Sequence, residues 1–496
     1  AVGQDEEIKK LIGKDTEIID LQGKLALPGF NDAHLHFANG GLYLLGIDLR
    51  PARDEKEFVR LLKDYIYKTP KGEWVTGGNW DHENWPSKKH PRKELIDPVT
   101  PDHPVLVSRL DGHMALANSL ALKLAGITRD TPDPQGGEIV RDGKTGEPTG
   151  ILRDEAMGLV GKVIPPLSHD QRERAIRAAM RHAQELGVTS VQDNSSGEDL
   201  QIYQELYRKG ELGVRINAWR SAEFTDDFQR IGVTAPCGDP FLRLGTVKLF
   251  VDGSMGAGTA LFFAPYADDP ATSGLPIHTR EQLDALVAAA DKAGLQIAAH
   301  AIGDKANAWI LDAFARARAA NGGRDERHRV EHAQVARSED VGRFRDLGVI
   351  ASVQPSHCID DMRWAEKRIG RRVDDAYRWR SFMDAGVRLA FGTDWDVEPL
   401  DPRLGLYAAV TRELPAGGPA GGWHPQEKLT MEQAIEAYTM GSAYAEFQEN
   451  SKGRLEAGQL ADMTVMEKDL FAIAKKNILH APVALTILNG KVVFRR

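Results

Sequence analysis

The 496-residue chain predicts an α/β fold: a closed (β/α)8 TIM barrel, a small β-sandwich domain formed by both chain ends, and an insertion after the first barrel strand. Three observations predict it. Helical stretches that end in Gly run directly into short apolar strands. Polar residues stand where those strands end. The two chain ends have a different texture, of short strands and turns.

The repeat comes first. Glu-Leu-Gly187-Val-Thr-Ser-Val-Gln-Asp193, Lys-Ala-Gly294-Leu-Gln-Ile-Ala-Ala-His300, Asp-Leu-Gly348-Val-Ile-Ala-Ser-Val-Gln354 and Asp-Ala-Gly386-Val-Arg-Leu-Ala-Phe-Gly392 share one pattern. Glycine just past a helix supplies the left-handed residue that stops it, and the apolar run behind it reads as a strand of a buried parallel sheet. The helix before Gly294 also has a start signal. Thr279 and Gln282 make a capping box, and Leu283, Leu286, Val287 and Ala290 form an apolar stripe. Successive αβ units suit a doubly wound sheet or a closed barrel. Polar groups at the ends of many strands favour the barrel, because a doubly wound sheet gathers them at one switch point.

At the ends, Glu17-Ile-Ile-Asp-Leu-Gln-Gly23 and Ala484-Leu-Thr-Ile-Leu-Asn-Gly-Lys-Val-Val-Phe494 read as short strands, the second a hairpin turning at Asn489-Gly490. Residues 1–27 and 447–496 are therefore assigned to the β-domain and 28–446 to the barrel. Residues from about 51 to 165, rich in Pro, Gly, Trp and charge, lack the repeat and form the insertion, expected to wall the site.

Composition narrows the function. Lys and Arg number 63 against 72 Asp and Glu, a net charge of −9, which argues against nucleic acid or an anionic membrane as partner. No apolar stretch approaches the ~18 residues of a membrane span. Two cysteines, Cys237 and Cys358, build no disulfide framework and fit a reducing, cytoplasmic setting. The chain opens Ala-Val-Gly-Gln without Met, so residues upstream of Ala1 are expected. The expected partner is a small-molecule substrate, and a homodimer stays open.

The strand-end residues carry the chemistry. In Asp32-Ala-His-Leu-His36, residues two apart on a strand face one way, so His34 and His36 offer two imidazoles to one metal. His300 closes Gln296-Ile-Ala-Ala-His, His332 closes Arg329-Val-Glu-His and Asp394 closes Leu389-Ala-Phe-Gly-Thr-Asp. Nitrogen and oxygen donors of this kind suit zinc foremost, or Mn, Fe or Co. Lys248, on the same side of Arg243–Val251 as Leu244, Thr246 and Phe250, points into an apolar barrel, which is costly unless the amine is neutral or paired. It either pairs with a carboxylate such as Asp252 or Asp394, or captures carbon dioxide as a carbamate able to bridge two cations.

His34-x-His36, Lys248, His300, His332 and Asp394, in that order, resemble the amidohydrolase superfamily. Leu27-Pro-Gly-Phe-Asn-Asp-Ala-His-Leu-His-Phe37, Asp111-Gly-His-Met-Ala-Leu-Ala-Asn118, Val247-Lys-Leu-Phe-Val-Asp-Gly-Ser254, His300-Ala-Ile-Gly-Asp304, Arg329-Val-Glu-His-Ala-Gln334 and Gly458-Gln-Leu-Ala-Asp-Met463 are similar to its YtcJ-like members, a group that includes N-substituted formamide deformylases. The resemblance covers essentially the whole chain. It implies one or two divalent ions per chain: His34, His36 and Asp394 on one, His300 and His332 on a second, and carboxylated Lys248 between them. It implies hydrolysis of a non-peptide amide C–N bond by metal-activated hydroxide, with Asp394 as general acid and base and His113 polarising the carbonyl. Trp395-Asp396 replaces the small residue common after the last-strand Asp, which bears on the substrate pocket. Trp80, Arg109 and Trp395 are the expected substrate-binding residues; Trp74, His82 and Trp85 accompany them in the insertion. Asp32 is expected to support a ligand histidine, and Asp304 to cap a helix.

Rival chemistries fail on spacing. Asp252-Gly-Ser-Met-Gly256 lacks the Gly two places before Ser that a nucleophile elbow needs, and Gly253-Ser-Met-Gly-Ala-Gly258 lacks the Lys-Ser/Thr ending of a phosphate loop. Cys358 beside His357 reads as a buried structural thiol rather than a nucleophile. Cyclic-amide opening, ester or lactone cleavage and deamination use the same metal site. A metal-dead binding or regulatory relative would have lost a ligand, and none is lost here.

Overall fold

Eight strands in chain order build the parallel path of the central sheet: β1 (Phe30–Leu35), β2 (Val188–Asn194), β3 (Arg215–Ser221), β4 (Leu242–Phe250), β5 (Gln296–Ala301), β6 (Arg329–His332), β7 (Ile350–Val353) and β8 (Leu389–Phe391), with Cys237–Gly238 paired antiparallel on β4. Each pairs in parallel with the next. The computed structural model describes residues 2–82, 85–109, 114–134, 137–234 and 236–496. It divides into two units, Ala1–Ala38 with Ala179–Arg496 and Asn39–Ala178.

Hydrogen bonds just past the strand ends close the sheet between β8 and β1. Asp394 N donates to His34 O at 2.7 Å and His36 N to Trp395 O at 2.5 Å. The Asp32 carboxylate clamps the same seam, accepting from Thr393 N at 3.1 Å and Thr393 Oγ1 at 2.6 Å. A Cβ on Gly392 would lie 2.5 Å from His34 N, so the seam closes only over glycine. The expected barrel is the fold.

The punctuation seen in the sequence is physical. Gly187, Gly294, Gly348 and Gly386 have φ of 78°, 80°, 66° and 82°, the left-handed region that ends a helix without the strain of a Cβ. Helix Arg280–Lys292 starts with the expected box: Thr279 accepts from Gln282 N, and Gln282 Oε1 accepts from Thr279 N at 2.9 Å. Its Leu283, Val287 and Ala290 are buried, while Leu286 is only partly so.

Where the sequence predicts a small β-sandwich, the chain ends form one antiparallel sheet of Leu25–Pro28, Met463–Met466, Val483–Leu488 and Lys491–Arg495. Asn489 and Gly490, at φ 51° and 75°, turn its hairpin. Residues 17–23 are not a strand. Asp20 Oδ1 accepts from Gln22 N at 2.9 Å and Lys24 N donates to Leu21 O at 3.0 Å, which makes a turn there while Ile19 and Leu21 pack on the sheet. Below the barrel, the buried Arg215 guanidinium grips Asp462 through two bonds of 2.6 and 2.9 Å.

The second unit has its own sheet, in the order Ile47–Asp48, Val75–Trp80, Val105–Arg109, Met114–Ala117, Pro148–Asp154, Gly137–Arg141. Phe58, Leu62, Trp80, Trp85, Val105 and Val107 form its main core.

Candidate metal and active site

All six expected donors, His34, His36, Lys248, His300, His332 and Asp394, line one cavity of about 610 Å³. Parallel strands share a direction, so their C-terminal ends bring residues 360 positions apart to one rim. His34 and His36 converge as alternation predicts, each with Nε2 3.4 Å from Asp394 Oδ1. One ligand atom from each of His34, His332 and Asp394 lies within 4.8 Å of the others. His332 and Asp394 have φ of 73° and 58°. These left-handed residues break the alternation of their strands and turn both side chains to the mouth, strain of the kind found at functional sites.

The imidazoles are oriented by their other nitrogens. His34 Nδ1 meets Glu331 Oε2 at 2.7 Å, His332 Nδ1 meets Gln354 Oε1 at 2.8 Å, and His300 Nε2 meets Gly253 O at 3.1 Å. An N–H committed to an oxygen leaves the opposite nitrogen with its lone pair, the form a metal ligand needs. Burial, then the Lys248 charge, pulls His300 down to about 3. Burial and neighbouring His300 hold His332 well below its ordinary value. His34 is the exception: burial and Lys248 push it down, but Glu331 and Asp394 outweigh them and raise it. Burial opposes ionisation of Asp394, yet the bonds to His34 and His36 hold its carboxyl well below the usual range.

Lys248 Nζ lies 3.3 Å from His34 Nε2 and 4.9 Å from the centre of the Phe250 ring. Burial lowers its pKa from 10.5 to about 8, with Glu331 and Asp394 opposing that fall. Asp252 is not its partner. That carboxylate accepts from Leu261 N, Ile302 N and Gly303 N at 2.8, 3.0 and 2.8 Å, fixing the loops after β4 and β5, and burial raises it to about 7.

The other expected residues take the following places. Trp80 is fully buried in the core of the second unit, where its indole N–H donates to Val107 O at 2.8 Å. Arg109 pairs with Asp81 at 3.1 Å. Trp395 is also buried, packed on the rings of Phe37 and His182, and Val397 and Glu398 line the cavity in its place. Asp304 is not a cap: Gly303 holds that position, and the Asp304 carboxylate accepts from Phe263 N at 2.9 Å. Asp32 ties strands rather than a ligand ring. Cys358 is buried as expected, beside His357 on helix Pro355–Asp361, and burial pushes its thiol up to about 11. His113 lies outside the described residues.

Sequence reasoning missed Glu331, Gln354 and His357. Glu331 is the centre of a buried array: Arg329 Nε donates to its Oε1 at 2.5 Å, and Arg329 Nη2 also reaches Ala33 O at 2.7 Å and Ser352 Oγ at 2.6 Å. The signal was present in Arg329-Val-Glu331, two charged residues spaced to point together into a barrel. The outer cavity wall carries Asp360, Asp361, Arg363, Trp364 and Glu398. Burial raises Asp361 to about 6, and burial with Asp361 and Asp394 nearby raises Glu398 to about 7.

A closed parallel barrel with buried imidazoles, a carboxylate and an amine at its C-terminal strand ends defines the class of metal-dependent barrel hydrolases. The chain belongs to the amidohydrolase family, whose profile matches residues 17–494. It is 37% identical over 509 residues to the protein LONG AFTER FAR-RED 3 of Arabidopsis thaliana, covering 99% of this chain and 86% of that one. It is 34% identical to the putative amidohydrolase YtcJ of Bacillus subtilis, covering 100% and 94%. Identity is 27% to an N-substituted formamide deformylase of Arthrobacter pascens, covering 100% and 93%. Among solved structures, an uncharacterized metal-dependent hydrolase from Pyrococcus horikoshii superposes with a TM-score of 0.78 at 32% identity, covering 95% and 91%. Among the described residues, no helix is long and apolar enough to cross a membrane.

Proposed function

We propose that this hydrolase cleaves an amide-type C–N bond outside peptides in a small molecule, using one or two divalent ions, zinc foremost, held by His34, His36, Lys248, His300, His332 and Asp394. The observation that carries the reading is the buried convergence of His34, His332 and Asp394 within 4.8 Å at the rim. The formamide deformylase among the relatives supports the amide, and the free thiols of Cys237 and Cys358 support a reducing, cytoplasmic setting. When bound, the ion supplies Lewis acidity and makes water a nucleophile at neutral pH.

The chain's own residues do the rest. Ionised Asp394 takes a proton from the attacking water and hands it to the leaving nitrogen as the C–N bond breaks. Lys248, with a pKa of about 8, is neutral often enough at physiological pH to add carbon dioxide, and the resulting carbamate is an anionic donor beside His34. Phe250 and Met255 give the cavity apolar surface for the substrate's body.

The test is a panel of N-substituted formamides, linear amides, lactones and aminopurines, read as released amine, acid or ammonia. Amine release from an amide, lost on chelation and restored by metal, is expected. Deamination without amide cleavage, or hydrolysis indifferent to metal stripping, overturns the proposal.

A further inference from the structure

His34, His300 and His332 each engage an oxygen through one ring nitrogen, and among the described residues the Nε2 of His357 does not. His357 lies on Pro355–Asp361, lines the cavity, and stacks against His332 with ring planes 14° apart and centroids 5.9 Å apart. Its Nε2 is buried without a hydrogen-bond partner among the described residues. Asp394 Oδ2 stands 3.7 Å away, beyond hydrogen-bond reach. A buried polar nitrogen left without a partner is costly, so a site that keeps one usually has a ligand for it.

The two oxygens of Asp394 face different ways. Oδ1 faces His34 and His36 at 3.4 Å, and Oδ2 faces His357. An anionic oxygen opposite Nε2 favours the tautomer that carries its proton there. The cavity therefore presents an acceptor and a donor side by side. Water adding to an amide carbonyl gives a carbon bearing a hydroxyl and an oxyanion, the complementary pair.

We propose that His357 is a catalytic residue that touches the substrate, its Nε2–H donating to the carbonyl oxygen and holding it more tightly as negative charge builds there. This deepens the amide reading and rests on it. Water oxygen bonds to the carbonyl carbon, its proton passes to Asp394 Oδ2 and on to the leaving nitrogen as the C–N bond breaks, and His357 keeps its proton throughout. Preorganised donors of this kind act mainly on the transition state.

The experiment compares wild type, His357→Phe and His357→Gln, metal-loaded, in amide turnover and in calorimetric binding of an alkylphosphonate, a tetrahedral anion with no bond to cleave. Expected for His357→Phe are a kcat lower by ~100-fold with KM within ~3-fold, and phosphonate affinity lower by ~10-fold, at unchanged metal content and melting temperature. His357→Gln, which restores an N–H, recovers part of both losses. Unchanged kcat and phosphonate affinity in His357→Phe overturn the proposal, as does loss of metal from that variant. A wild type that cleaves no amide sinks the amide reading alone, because the phosphonate comparison still decides whether His357 holds an oxyanion.

Discussion

Replacing Glu331 with Gln keeps the volume and removes the charge that Arg329 and His34 share. Glu331 is fully buried, its Oε2 2.7 Å from His34 Nδ1 and its Oε1 2.5 Å from Arg329 Nε. Burial opposes its ionisation, but Arg329 and His34 overcome that and pull its pKa from 4.5 to about 2. A depressed carboxyl stabilises the fold above its unfolded value of 4.5 and loses that contribution as pH falls towards 2. At ~1.36 kcal/mol per pH unit the contribution is about 3 kcal/mol, more than half of it gone by about pH 3. The direct estimate agrees: Arg329 stripped of its carboxylate in the interior costs ~3–5 kcal/mol. Equilibrium urea unfolding of metal-stripped wild type and Glu331→Gln measures both. The variant should be less stable by about 3 kcal/mol at pH 7, and the difference should shrink between pH 5 and pH 3. A difference under about 1 kcal/mol at pH 7, or one that is flat through that acid window, would refute the electrostatic account.

Asp394→Asn should lower kcat by ~10²–10⁴, read by amine release, and should also lower the melting transition read by calorimetry, because its depressed carboxyl contributes stability at neutral pH; full activity in that variant would remove Asp394 from the proton path. Gly392→Ala forces a Cβ to 2.5 Å from His34 N and should destabilise by ~1–3 kcal/mol, with a matching fall in unfolding midpoint. Lys248→Ala should lose activity and regain part of it with short carboxylic acids, whereas rescue by an alkylamine alone would favour a cationic lysine. With the Lys248 pKa at about 8, carbon dioxide-depleted enzyme should reactivate roughly 25-fold faster at pH 8.5 than at pH 6.5 when dissolved carbon dioxide is held equal, because only the neutral amine adds carbon dioxide and its fraction rises through that interval. Equal rates at the two pH values would argue against the carbamate.

What was legible in the sequence follows from what each signal depends on. Gly187, Gly294, Gly348 and Gly386 mark helix ends because a left-handed residue is a local need, visible in a few neighbours. The six donors could be assembled on paper because parallel strands guarantee a common rim. Side-chain direction was harder. In Gln354-Pro355 the proline opens a helix, and His357 on its first turn faces the cavity. Trp80 ends a strand whose partners belong to the second unit, and those neighbours, set far along the chain, bury it.

The positive φ of His332 explains the hardest miss and why the missed residue matters. Alternation along β6 points Arg329 and Glu331 into the barrel, and by the same rule should turn His332 outward. A left-handed residue at the strand's last position lets the chain place Glu331 inside and His332 at the mouth in succession. The interior beneath the cavity is consequently charged, with Arg329, Glu331 and Lys248 all buried. Glu331 balances Arg329, orients His34 through Nδ1 and opposes the fall in the Lys248 pKa. Neutralising Glu331 should therefore lower the Lys248 pKa further and loosen the orientation of His34. The Glu331→Gln variant is expected to bind metal more weakly by ~10–100-fold in competition with a chromophoric chelator, the usual effect of removing a carboxylate behind a ligand histidine. Wild-type metal affinity in a variant that still shows the loss of stability would separate the two roles and leave Glu331 as structural support alone.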